Sequence, residues 1–197
     1  MYQLIETIKI TDGQFQNLPY HNVRLNKARR ELFSCEDEID IALFVSIPVE
    51  ATKGVYKCTV TYNENILGAQ FQPYTIRKIN TLKLVVNNEI DYSYKYTDRM
   101  NLNKLLKQKG ECDEIIIVKN GLITDTSYTN LVFYDGKKWL TPNSPLLKGT
   151  KREKLLSEGL IEEAKINADY LTKFSKLALI NAMIELGDVV VEIKNVN

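Results

Sequence analysis

Four short segments, far apart in a chain of 197 residues, carry the side chains best suited to chemistry. Lys95, in Lys95-Tyr96-Thr97-Asp98-Arg99, offers an amine that could form a Schiff base once its pKa is pulled below the ordinary lysine value. Asp125, in Thr124-Asp125-Thr126-Ser127-Tyr128-Thr129-Asn130, is a carboxylate followed at five residues by an amide. Arg24, in His21-Asn22-Val23-Arg24-Leu25, is a permanent cation whose planar fork suits an anion. Gly149-Thr150-Lys151-Arg152 reads as a glycine turn opening a helix, where free backbone N–H groups and the macrodipole favour an anion. Each segment alone has a plainer reading: an exposed lysine, a helix-surface arginine among Lys27, Arg29 and Arg30, a turn aspartate beside Thr126 and Ser127, and a glycine that merely precedes a helix.

The elements that must position these groups follow from local pattern. Residues 2–10 alternate into a strand, and Asp12-Gly13 turns toward a second strand over Gln14 to Leu18. Val23, Leu25, Ala28 and Leu32 approximate helical spacing, so a helix is expected from Tyr20 to Phe33 with Arg24 in its first two turns. A second helix is expected over Glu36 to Phe44, then strands at Gly54 to Tyr62, Ile66 to Tyr74 and Leu82 to Val86. Beyond these, Asp98 to Lys109 reads as a helix with Asp98 near its N-cap, and Glu114 to Val118 as a strand ending in the turn Lys119-Asn120-Gly121. Leu131 to Tyr134 and Lys138 to Leu140 flank Asp135-Gly136 as a hairpin. A helix over Lys151 to Glu158, a strand at Ile161 to Ile166, a short helix near Asp169, and apolar runs at Leu177 to Ile180 and Val189 to Ile193 complete the reading. The change of rhythm predicts an α+β chain of two small domains, residues 1–88 and a larger β-rich 89–197.

Bulk composition narrows the classes of function. Lys plus Arg (26) nearly cancel Asp plus Glu (25), and a net charge of +1 gives no reason to expect nucleic acid or membrane as a partner. Three cysteines, Cys35, Cys58 and Cys112, lack any Cys-x-x-Cys pair, which argues against a disulfide framework and a zinc site and favours a reducing cytoplasm. His21 is the one histidine, so a His-based triad or metal site has little to work with, and no metal is expected. The N-terminus reads as lacking a signal peptide, and no apolar run is long enough to span a bilayer.

Taken together and in this order, the four segments resemble the class IV (fold type IV) family of pyridoxal 5′-phosphate enzymes, which includes branched-chain and D-amino acid aminotransferases and aminodeoxychorismate lyase. The resemblance implies the D-amino acid aminotransferase-like architecture with the cofactor between its two domains, shortened at the N-terminus because the chain begins directly at the Glu6 strand. It implies that Lys95 is the Schiff-base lysine, that Asp125 meets the pyridine nitrogen and keeps it protonated, and that Asn130 supports that acid. Aspartate replaces the family's more usual glutamate. Arg24 and the turn Gly149, Thr150 and Lys151 are implied phosphate anchors. Ile180-Asn181-Ala182-Met183 resembles the family's Asn/Thr-Ala loop, which makes Asn181 a cofactor contact and Ala182 a substrate contact. Ile5-Glu6-Thr7-Ile8 resembles the Phe-Glu-Thr strand, which makes Glu6 a second substrate candidate.

Reaction type is less sharply implied, because the cofactor carries the chemistry and the protein selects which bond breaks. Aminotransferases of the family usually place a tyrosine five residues after the lysine, whereas this chain has Met100. Lys95-x-x-Asp98-Arg99 looks more like the lyase's Lys-x-x-Asn-Arg. The resemblance therefore leans toward aminodeoxychorismate lyase, which forms 4-aminobenzoate and pyruvate in folate biosynthesis. A class IV aminotransferase acting on a branched-chain or D-amino acid is the alternative, and a non-catalytic pyridoxal-phosphate binder the second. A small-molecule amine substrate and a homodimer are implied in the enzymatic readings.

Overall fold

Strict alternation in Leu4–Thr11 (β1), with Leu4, Glu6, Ile8 and Ile10 turned inward, makes this the strand on which the first part of the chain is built. The computed structural model describes residues 2–197 and falls into two units: residues up to Ile76 with Tyr94–Asp98, and Arg77–Ser93 with Arg99–Asn197. The chain is α+β, with several sheets and few helices. No helix of the described residues is long and apolar enough to cross a membrane.

In the first unit, Gln14–Phe15 (β2) returns against β1 through Asp12 and Gly13, both at positive φ as a tight hairpin requires. The expected run to Leu18 stops short because Asn17 adopts a left-handed conformation and Leu18–Phe33 (α1) begins at once, with Pro19 in its first turn. Only Ile41–Phe44 (α2) of the helix expected from Glu36 is helical. Tertiary hydrogen bonds take the rest: the Asn26 side chain holds both Ile39 N and Ile39 O, and Arg29 binds Asp37 O. Val55–Tyr62 (β3) and Ile66–Pro73 (β4) then complete an antiparallel sheet of order β2-β1-β3-β4, in which Glu6 faces Val60. Leu25, Ala28, Ile41, Cys58 and Val60 close a core over the inward face of β1.

A five-residue return segment belongs to this unit. Lys95 O accepts from Ile5 N at 2.9 Å, Thr97 N donates to Gln3 O at 2.9 Å, and Leu4 bridges Tyr96, so Tyr94–Asp98 lies along the edge of β1.

The second unit starts with Leu82–Val86 (β5). Met100–Leu106 (α3) is shorter than expected, and Arg99 rather than Asp98 stands at its N-cap, since residue 97 is held in extended pairing with Gln3. Glu114–Lys119 (β6) runs parallel to β5 and turns through Asn120 and Gly121, both at positive φ, into Leu122–Ile123 (β7). Asn130–Tyr134 (β8), Trp139–Pro142 (β9), Glu162–Ala164 (β10), Lys176–Ile180 (β11) and Val190–Glu192 (β12) form a second sheet of order β10-β9-β8-β11-β12. Thr150–Ser157 (α4) buries Leu155 against Val132 and Ile180 of that sheet and against Ile161 just ahead of β10. The short helix expected near Asp169 is a 3-10 turn, Ala168–Lys173, capped by Asn167.

Candidate active site

The first unit gathers Glu6, His21, Arg24 and Lys95. His21 and Arg24 lie three residues apart on α1 and so share the face turned toward β1. Arg24 docks side-on upon Glu6, Nε to Oε1 at 2.8 Å and Nη2 to Oε2 at 2.5 Å, while His21 Nδ1 lies 2.6 Å from Oε2. Glu6 is fully buried; burial alone would raise its pKa, but the charge of Arg24 and the hydrogen bonds from His21 and Arg24 outweigh it and hold the carboxyl down at about 2. An ionised carboxylate only accepts, so Nδ1 carries the imidazole proton. Burial lowers His21 below its ordinary value; Glu6 opposes this, and the charges of Arg24 and Lys95 add to it. Glu6, offered by the sequence as a substrate contact, thus has both oxygens engaged by α1. Lys95 is half-buried, set between Tyr94 and Tyr96, which pack on the core.

The second unit gathers Asp125, Asn130 and Gly149, and the five-residue spacing of acid and amide has a simple cause. Thr126 and Thr129 close a tight hairpin, N to O at 2.9 Å and N to Oγ1 at 2.9 Å, which sets residue 125 across from residue 130. Asn130 Nδ2 then donates to Asp125 Oδ1 at 2.8 Å and to Leu147 O at 2.8 Å, and Leu147 N donates to Asp125 Oδ2 at 2.9 Å. Burial dominates here: it raises the carboxyl to about 6, against the lowering pull of the Leu147 N–H, Asn130, the Leu146 N–H and the charge of Arg152. Asp125 is therefore a buried acid poised near neutrality.

Gly149 has ordinary angles, φ −74 and ψ 142, so its small size is demanded by neighbours. A Cβ there would collide with Asn130 Oδ1. From this turn α4 opens with Thr150, Lys151 and Arg152 all buried. Lys151 Nζ meets Glu185 at 2.5 Å; Arg152 meets Pro142 O at 3.0 Å, Glu153 at 2.9 Å and Glu163, while its buried Nε has no partner among the described residues. Two buried cations at a helix N-terminus oppose the macrodipole, and the carboxylates of Glu185, Glu153 and Glu163 offset their charge.

Asn181 ends β11 in a turn of its own making, its Oδ1 accepting from Met183 N at 2.8 Å and Ile184 N at 3.1 Å. Its Nδ2 donates to Tyr128 O at 3.4 Å, which ties this turn, with half-buried Ala182, to the 126–129 hairpin. Two residues escaped the sequence reading. Arg99 Nη2 donates to Ser127 O at 2.7 Å, and Arg77 lies 5.2 Å above the Tyr128 ring while pairing with buried Glu114 at 2.8 Å. Arg99 stood in a quoted segment without a role, and Arg77 had no local signal at all.

The first unit thus carries an amine at Lys95 and a cation at Arg24, and the second carries a buried acid at Asp125 and backbone N–H donors at the start of α4. Comparison with known proteins identifies the family. Residues 3–191 match the family model of amino-transferase class IV. An uncharacterized protein of Haemophilus influenzae is 40% identical over 185 residues, covering 93% of this chain and 98% of that one. The crystal structure of "a putative 4-amino-4-deoxychorismate lyase" from Haemophilus somnus 129PT aligns with a TM-score of 0.88 and 37% identity, covering 94% of this chain and 98% of that chain. The pyridoxal-phosphate-bound form of "a hypothetical aminotransferase" from Mycobacterium tuberculosis shares the fold, with a TM-score of 0.77 at 15% identity, covering 100% of this chain and 81% of that one.

Proposed function

Because the chain belongs to the class IV aminotransferase family, an enzyme family that uses pyridoxal 5′-phosphate, we propose that it is a lyase converting 4-amino-4-deoxychorismate to 4-aminobenzoate and pyruvate. Met100 carries the choice of reaction: it stands five residues after Lys95, where the aminotransferases this chain resembles usually have a tyrosine. The likeness to the structure bearing the lyase name, 37% identical over 98% of that chain, supports the same reading.

When bound, the cofactor supplies an electron sink conjugated to the substrate amine carbon. Lys95 would hold the cofactor through its aldehyde, and its amine would serve as the base for the ring proton, whose loss aromatises the ring as enolpyruvate departs and takes up a proton to become pyruvate. Asp125 holds a proton at the pyridine nitrogen, and Asn130 keeps that carboxylate aimed. Arg24 and the backbone N–H groups from Gly149 to Lys151 receive the phosphate, with Asn181 and Ala182 bordering phosphate and substrate. Near-zero net charge fits a small-molecule substrate rather than a nucleic acid or membrane partner, and we take the enzyme to be a cytoplasmic homodimer serving folate synthesis.

The test is to incubate the holoenzyme with 4-amino-4-deoxychorismate, and separately with L- and D-amino acids plus 2-oxo acids. Release of pyruvate and 4-aminobenzoate without any 2-oxo acid acceptor is expected. Amino-group transfer from a branched-chain or D-amino acid, with no pyruvate released from aminodeoxychorismate, would replace the lyase by a transaminase. Cofactor bound with neither activity would make the chain a non-catalytic binder.

A further inference from the structure

The inward row of β1 reads Leu4, Glu6, Ile8, Ile10, three aliphatic residues and one fully buried carboxylate. A lone ion in such a row is expensive unless it is matched closely, and Glu6 is matched by three charge-assisted contacts from one face of α1. The side-on contact through Nε and Nη2 holds the Arg24 guanidinium at two points, one on each oxygen of the same carboxylate. His21 in turn fixes Glu6, from a site with no solvent exposure of its own. Arg24 is 17% exposed, so the triad runs from a wholly buried anchor to a partly accessible cation.

We propose that Glu6 and His21 are positioning residues for Arg24, holding its guanidinium in one pre-set orientation for a phosphate monoester. This rests on the reading that Arg24 receives the cofactor phosphate. Neither Glu6 nor His21 touches the ligand in this scheme; they act by removing the freedom that a long arginine side chain would otherwise lose on binding.

The experiment compares the affinity of the full-length, cofactor-depleted protein for pyridoxal 5′-phosphate and for pyridoxal, which differ only in the phosphate. Arg24→Ala is expected to reduce the preference for the phosphorylated aldehyde by about ten- to a hundredfold. Glu6→Gln is expected to reproduce most of that reduction with unchanged affinity for pyridoxal, and to add nothing further in the Arg24→Ala background. His21→Asn, whose amide can donate in place of Nδ1, retains the preference, whereas His21→Leu loses part of it. Should Glu6→Gln fail to fold, Glu6→Asp retains the charge but displaces the fork, and an intermediate loss is expected. If Arg24→Ala lowers the preference while the Glu6 variants leave it intact, or if they weaken both aldehydes equally, the positioning role is overturned and the phosphate reading stands. An unchanged preference in Arg24→Ala instead removes the phosphate reading itself.

Discussion

Asn130 Oδ1 occupies the space that a Cβ on residue 149 would need, so the amide that steadies Asp125 and the turn that opens α4 are fitted to each other. Gly149→Ala is expected to push Asn130 off Asp125 and Leu147, costing about 1 to 3 kcal/mol. Urea unfolding measures this, and the double variant with Asn130→Ala should be less damaged than the sum of the two singles. Strict additivity would show that the two sites do not interact.

Asp125 gives the cofactor-free protein an unusual pH dependence. Its folded pKa of about 6 lies above the ordinary 3.8, so its favourable contribution is complete below 3.8 and is lost as pH rises through about 6. The loss amounts to about 3 kcal/mol over that window. Asp125→Asn removes this slope, though it also sets an amide NH₂ against a donor, because both carboxylate oxygens accept hydrogen bonds. Stability measured by denaturant at several pH values should fall between 3.8 and 6 in the wild type relative to the variant. In the loaded enzyme the same substitution should slow turnover by orders of magnitude while Asp125→Glu is better tolerated.

Glu6 works in the opposite sense. Its folded pKa of about 2 lies below the ordinary 4.5, so its contribution is present above 4.5 and is lost as pH falls toward 2. His21, also lowered, contributes stability above its ordinary 6.5 that declines as pH drops below that value. Glu6→Gln should cost about 3 kcal/mol at neutral pH by leaving Arg24 without its carboxylate, and the gap to wild type should close on acidification. A gap that stays constant from neutral pH to pH 2 would mean that Glu6 is not ionised in the fold.

Lys95→Ala should abolish turnover and any visible absorption band that borohydride bleaches in the wild type. The strand-edge pairing of this segment should survive, because Lys95 O and Thr97 N, which bind Ile5 N and Gln3 O, are backbone groups that the substitution keeps. A bleachable band surviving in this variant would move the tether to another lysine.

Much of this was readable where chemistry is local. Asp12-Gly13 and Asn120-Gly121 turn where their backbone tolerance allows, and β1, β3, β6 and β11 follow their apolar patterns. Legibility failed where distant side chains capture backbone: Asn26 and Arg29 unwind the helix expected from Glu36, and Gln3 delays the helix expected from Asp98. At the site, residue types and spacing exposed Asp125 with Asn130, since a single hairpin joins them. That Glu6 would be bound by Arg24 and His21 was hidden, because alternation reports which face a strand residue occupies and says nothing about what covers it. Arg77 could not be found without knowing that Tyr128 would lie beneath it.

The strip Tyr94–Asp98 runs along β1, yet its flanking residues, Ser93 and Arg99, belong to the other unit. Neither unit is therefore a continuous stretch of polypeptide, and no single cut yields either one whole. A fragment ending before Tyr94 would leave Gln3 and Ile5 with backbone groups bare on a sheet edge, an invitation to pair with another molecule. Nascent chain emerging from the ribosome passes through that state, so β1 acquires its last partner only after the intervening 77–93 stretch has been made.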